Sequence, residues 1–142
     1  MSGSSSNSST RTGVFTVTVS GDPRFIPTIR LLTHKAAEAD GCSEAHAGRL
    51  ADAVARVLTL ALGAEHEALA AGAMDLRFEP SSDVFAVEIR VPARVVGGST
   101  LERSLAARGD LEEVRRLVPT TEFGASGAHQ FCRLACQHAG DS

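Results

Sequence analysis

Residues 43–62 read SEAHAGRLADAVARVLTLAL, the longest helical pattern in the chain, and their reading decides the fold. Leu50, Val54, Val57, Leu58 and Ala61 recur at helical spacing and form one apolar stripe. Arg49, Asp52 and Arg56 recur at the same spacing on another face. Ser43 stands where a hydroxyl accepts a bond from a free N–H of the first turn, and Gly63 stands where a left-handed residue would end the helix. Such a helix needs an apolar layer to pack against, and the flanking sequence must supply it.

C-terminal to this stretch come two segments of period two. Met74, Leu76 and Phe78 alternate with Asp75, Arg77 and Glu79; Phe85, Val87, Ile89 and Val91 alternate with Ala86, Glu88 and Arg90. Pro80-Ser81-Ser82-Asp83 between them is turn chemistry, so the pair predicts an antiparallel hairpin with one buried face. N-terminal to the helix, Phe15, Val17 and Val19 alternate with Thr16 and Thr18 in a half-buried strand spanning Val14 to Ser20. A first helix follows, with Pro27 near its start, a stripe of Ile29, Leu32, Ala36 and Ala39, and Asp40-Gly41 closing it.

Glu65 to Gly72 is Ala-rich and fits a short helix or a compact connection, and Ala93 to Thr100 reads as a loop after Pro92 ends the second hairpin strand. Leu101 to Arg108 predicts a short helix. Asp110 and Glu113 resemble a capping box opening another, with Leu111, Val114, Leu117 and Val118 inward and Pro119 stopping it. Thr120 to Phe123 and Ala128 to Ala135 read as a closing pair of strands around Gly124-Ala125-Ser126-Gly127. The order β-α-α-β-β-α-β-β predicts an α+β, two-layer sandwich: a mostly antiparallel sheet with helices on one face.

The length, 142 residues, fits a single domain over residues 13–138, preceded by a Ser-rich tail at 1–12 too polar to offset the entropy cost of ordering. The apolar fraction of 43% includes neither Trp nor Tyr, so the core must be aliphatic with support from six Phe. A net charge of −3 gives no electrostatic case for nucleic acid or an anionic membrane. No run of 18 apolar residues and no apolar N-terminal segment occurs, and three Cys form no even framework; a cytoplasmic protein is expected.

Candidate chemistry is sparse. Cys132, Cys136 and His138 invite a metal reading. On a strand, though, the two thiols would lie about 13 Å apart, against zinc–sulfur bonds of about 2.3 Å. Both are expected as buried thiols, whereas Cys42, in a helix–helix turn, is expected nearer the surface. His66-Glu67 lacks the second His of a zinc-protease helix, and Gly97-Gly98-Ser99-Thr100 lacks the Lys of a P-loop. No residue is assigned a catalytic or metal-binding role.

In order and texture the chain resembles the GHKL (Bergerat-fold, histidine-kinase-like) ATPase domain, specifically the small bacterial anti-sigma-factor serine kinases. The segments carrying the resemblance are FTVTVSGDPRFIPTIRLL (15–32), GCSEAHAGRLADAVARVLTLAL (41–62), LRFEP (76–80), VFAVEIRV (84–91) and LEEVRRLVPTTEFGASGAHQFCRLAC (111–136). The resemblance implies transcription regulation through a sigma factor or an anti-sigma-factor antagonist, a homodimer, and an ATP site with Mg²⁺. That family carries a Glu as general base and, four residues on, an Asn as metal ligand on the second helix. Matching helix to helix puts Arg56 and Leu60 at those places. Asn7, in the tail, is the sole Asn of the chain, so no register restores the metal ligand.

The family's Asp-x-Gly box would fall at Pro92, Ala93 and Arg94, and no Asp-x-Gly or Gly-x-Gly occurs anywhere. Arg in place of a carboxylate turns attraction for a metal into repulsion. That is roughly 4 kcal/mol per unit charge at about 4 Å and an effective dielectric near ~20, doubled for Mg²⁺. The site is therefore expected to be degenerate at Arg56, Leu60, Ala93 and Arg94, with no cofactor. The reading is a non-catalytic regulatory interaction module. The alternative is an atypical ATP-binding serine kinase anti-sigma factor that uses replacement residues, with ATP and Mg²⁺ as its cofactors.

Overall fold

The computed structural model describes residues 13–19, 23–61, 74–92, 101–126 and 129–138. The Ser-rich tail, Gly63, the Glu65–Gly72 segment and the Ala93–Thr100 loop, with Ala93 and Arg94, lie outside the described residues. The described elements are β1 (Phe15–Val19), a 3₁₀ turn (Pro23–Phe25), α1 (Ile26–Asp40), α2 (Glu44–Thr59), β2 (Met74–Pro80) and β3 (Val84–Pro92). They continue with α3 (Leu101–Ala107), α4 (Leu111–Leu117), β4 (Thr120–Ser126) and β5 (His129–Gln137).

The five strands form one antiparallel sheet in the order β1-β2-β3-β5-β4. This is the α+β, two-layer architecture that the hydrophobic periodicity predicts. The hairpin pairs Leu76 with Ile89 and Phe78 with Val87, so both apolar rows share a face. The closing hairpin runs further than its sequence suggests, with Ser126 opposite His129. Gly124 sits opposite Phe131, and a Cβ there would lie 2.6 Å from the end of that ring. The aromatic ring covers backbone that only glycine leaves open.

The core fills the space between this sheet and the helices. Met74, Leu76, Phe78, Phe85, Val87, Ile89, Cys132 and Leu134 supply the sheet side; Leu50, Val54, Val57 and Leu58 supply the α2 side. Phe15 stacks on Phe78 with ring centroids 4.8 Å apart, extending the core to the edge strand. The opposite face carries charge. Arg77 pairs in register with Glu88, Glu88 with Arg133, and Arg133 with Glu122, so signs alternate across four strands. Arg133 also bonds Glu79, and Arg90 Nε donates to Glu88 at 2.6 Å.

Helix α2 is buried along a wide arc that includes Ala47, Ala51 and Ala53 as well as its apolar stripe, as expected of a helix with α1 on one side and β5 on another. Ser43 caps it as predicted, its Oγ accepting from the His46 N–H at 3.0 Å. Two local expectations are corrected. In α1, Ala39 is exposed and Thr33 and Ala37 are buried; Ile29, Thr33 and Ala37 make an i, i+4, i+8 ridge. Thr33 Oγ1 satisfies itself by donating to Ile29 O at 2.8 Å, which makes a hydroxyl tolerable there. Asp110 does not cap α4, because its carboxylate turns toward Arg56 and Arg108, 3.5 and 3.8 Å away.

Helix α1 ends as its sequence predicts. Gly41 is left-handed at φ 119°, its N–H donates to Glu38 O at 3.1 Å, and the Cys42 N–H donates to Ala37 O at 3.0 Å. This paired closure is a Schellman motif, which packs the second residue past the helix back against its last turn. Cys42 and Ala37 are accordingly both buried. The expectation that Cys42 lies near the surface is thereby overturned.

Candidate functional site

Two of the positions matched to a nucleotide site, Arg56 and Leu60, lie at the C-terminal end of α2. Arg56 projects from its polar face toward α4, with its guanidinium 3.5 Å from Asp110 and 3.9 Å from Glu113. One turn earlier, Asp52 accepts from Arg30 Nε of α1 at 2.9 Å. Arg30, Asp52, Arg56 and Glu113 line a cleft of about 430 Å³ between α1, α2 and α4, with Ile26 and Leu117 as apolar walls. Arg116 also bonds Glu113, and Arg108 lies 3.8 Å from Asp110.

This cluster holds four Arg (30, 56, 108, 116) and three carboxylates (52, 110, 113), and every carboxylate faces at least one guanidinium. A hard divalent cation needs surplus oxygen charge, which this arrangement lacks. The pairs are half-exposed, so each contributes at most about 1 kcal/mol to stability. Their effect is to fill and neutralise the polar face of α2.

Leu60 is placed differently. It continues α2 in helical conformation (φ −65°, ψ −48°) and is only 3% exposed, inside the main apolar cluster with Val57, Leu58 and Ala61. Arg56 and Leu60 are thus not two halves of one pocket. The first lies over a charged cleft and the second lies in the core. Ala93 and Arg94, the remaining positions of the degenerate set, lie outside the described residues.

Sequence reasoning associated Arg56 with Asp52 on a common face; the structure assigns Asp52 to Arg30 and gives Arg56 the two acids of α4. The sole hint in the sequence was Arg56 on the polar face of α2 and the acids Asp110, Glu112 and Glu113 at the start of α4. Sequence reasoning also missed the Cys42–Cys136 pair, which joins residues 94 apart, and the His138–Asp40 contact beside it at 2.8 Å. The half-buried His34 brings a ligand atom within 4.8 Å of those of Glu38 and the exposed Glu44, with His34 and Glu38 one helical turn apart at 3.6 Å. Among the described residues no helix is long and apolar enough to cross a membrane.

No protein-family model matches the chain, and no curated protein matches it.

Proposed function

We propose that this chain is a non-catalytic regulatory interaction module of anti-sigma-factor type, working by protein contact without Mg-ATP chemistry. Its partner is a sigma factor or an anti-sigma-factor antagonist, and the working unit is a homodimer. The observation that carries the reading is the paired fate of Arg56 and Leu60. The position required to act as a base is a cation bound to two acids, and the position required to hold a metal is a core leucine. Phosphoryl transfer depends on metal ions to neutralise the charge that develops on the phosphates. A site with Arg at one position and buried Leu at the other offers no ligand for that ion.

The edges of the sheet favour protein contact as the remaining activity. β1 pairs only with β2 and β4 only with β5 among the described strands, so among the described residues these two are the edge strands of the sheet. Val14, Phe25 and Leu31 are large apolar side chains exposed at or near the β1 and α1 side. The test is binding of the purified chain to sigma factors and their antagonists with nucleotide omitted, with light scattering for the stoichiometry. The reading predicts nucleotide-independent capture by a dimer. Binding that requires Mg-ATP, or phosphate transfer to a serine of the partner, would contradict it.

A further inference from the structure

Three cysteines are present, and the fold brings two of them together. The Schellman turn after α1 drives Cys42 inward, and β5 presents Cys136 on the same side of the sheet as Leu134 and Cys132. Their sulfurs lie 2.8 Å apart. A formed disulfide has an S–S length of about 2.05 Å, so closure needs an approach of about 0.8 Å with both cysteines already on packed backbone. Cys132 takes no part: it lies four residues from Cys136 along the strand, about 13 Å away, and opposite Ile89 and Phe123.

We propose that Cys42 and Cys136 form an oxidant-responsive thiol pair, which a hydroperoxide converts to an intramolecular disulfide tying the α1–α2 turn to β5. The pair is shielded, with the two residues 6% and 8% exposed. A cleft of about 340 Å³ reaches Cys136, with His46, Arg49, Arg116 and Gln137 in its lining, and Cys42 lies one sulfur–sulfur contact of 2.8 Å from it. Water occupies about 30 Å³ in the liquid, so the cleft has room for hydrogen peroxide with its hydration.

The thiols also differ in acidity. Hydrogen bonding between the two sulfurs lowers the Cys42 pKa from its ordinary value, against opposition from burial and the Asp40 charge. The same bond, with burial, raises that of Cys136. Attack by either sulfur leads to the same disulfide, and attack by Cys42 gives the following bond changes. Cys42 sulfur attacks one peroxide oxygen, the O–O bond breaks, and Cys42 becomes a sulfenic acid while the departing hydroxide leaves as water with the Cys42 proton. Cys136 sulfur then attacks Cys42 sulfur, the S–O bond breaks, and the second hydroxide leaves as water with the Cys136 proton. Two thiols and one hydrogen peroxide give one disulfide and two waters, a two-electron oxidation of the pair.

The experiment treats the reduced full chain with hydrogen peroxide, quenches with N-ethylmaleimide in denaturant so that buried thiols react, and maps tryptic peptides without reduction. Trypsin places Cys42, Cys132 and Cys136 in separate peptides, residues 36–49, 117–133 and 134–142. The expected result is a mass loss of about 2 Da, a 36–49/134–142 cross-link, alkylation of Cys132 alone, and reversal by dithiothreitol. The melting temperature of the oxidised form should rise by roughly 5–15 °C, because the cross-link closes a long loop. Cys132→Ser should behave as wild type, and Cys136→Ser should stop at a Cys42 sulfenic acid trapped by dimedone. Cross-links through Cys132, disulfides only between chains, or alkylation of both Cys42 and Cys136 at peroxide levels that oxidise free cysteine would overturn the proposal. The wild-type map decides the matter even where the Cys136→Ser chain does not fold.

Discussion

Replacing Leu60 by Asn introduces the residue type that the proposed resemblance would place here, and the structure assigns the change a cost. Leu60 is 3% exposed within the main apolar cluster. Truncation to Ala alone should cost about 2–5 kcal/mol through lost burial and the cavity left behind. Asn adds a buried amide with no partner in that cluster, a further penalty of about 1–3 kcal/mol. Against a stability of about 5–15 kcal/mol, that removes a large share of the total. With neither Trp nor Tyr in the chain, urea unfolding is best followed by far-ultraviolet circular dichroism. Leu60→Asn should be less stable than Leu60→Ala, and Leu60→Met should lie within about 1.5 kcal/mol of wild type. Asn tolerated as well as or better than Ala would refute the reasoning, since it would mean that position 60 faces a polar pocket.

Three further outcomes are expected. Arg56→Glu replaces two attractions by two repulsions against Asp110 and Glu113. It should cost roughly 1–2 kcal/mol, an effect that shrinks in high salt, without creating Mg-ATP binding. An unchanged melting temperature would show that α4 does not hold Arg56. Burial raises the Cys132 pKa from 9.0 to about 12 in the folded chain. The unfolded chain therefore binds fewer protons between those values, so the stability is complete below pH 9 and is lost as pH rises toward 12. Cys132→Ala should flatten that decline in a melting-temperature series, and an equal slope in both proteins would contradict the assignment. Gly124→Ala forces a Cβ against Phe131 and should cost about 1–2 kcal/mol. The cost should vanish in a Phe131→Ala background, and a double-mutant cycle with no coupling would contradict the close approach.

The sheet and α2 were legible because their signals are local. Alternation in residues 74–91 and the stripe of Leu50, Val54, Val57 and Leu58 determine their own faces whatever surrounds them. The Ser43 cap and the Gly41 stop were legible for the same reason, since each is decided within a few residues. Asp110 and Glu113 misled because capping competes with tertiary charge: the sequence pattern is present, but Arg56, 54 residues earlier, claims the carboxylate. The buried face of α1 was rotated by its packing on α2, which turned Thr33 inward and Ala39 outward. Nothing local could announce that Cys42 meets Cys136, because that contact depends on the α1 closure and on the position of β5 in the sheet. The charged cleft was half legible: the acids and arginines were visible, but their pairing was not.

The central proposal, that the α2 face does not bind Mg-ATP, is tested most directly by calorimetric titration of the purified chain with ATP and ADP, with and without Mg²⁺. The account predicts no Mg-dependent binding in the micromolar range; micromolar affinity that appears with Mg²⁺ and is lost on chelation would contradict it.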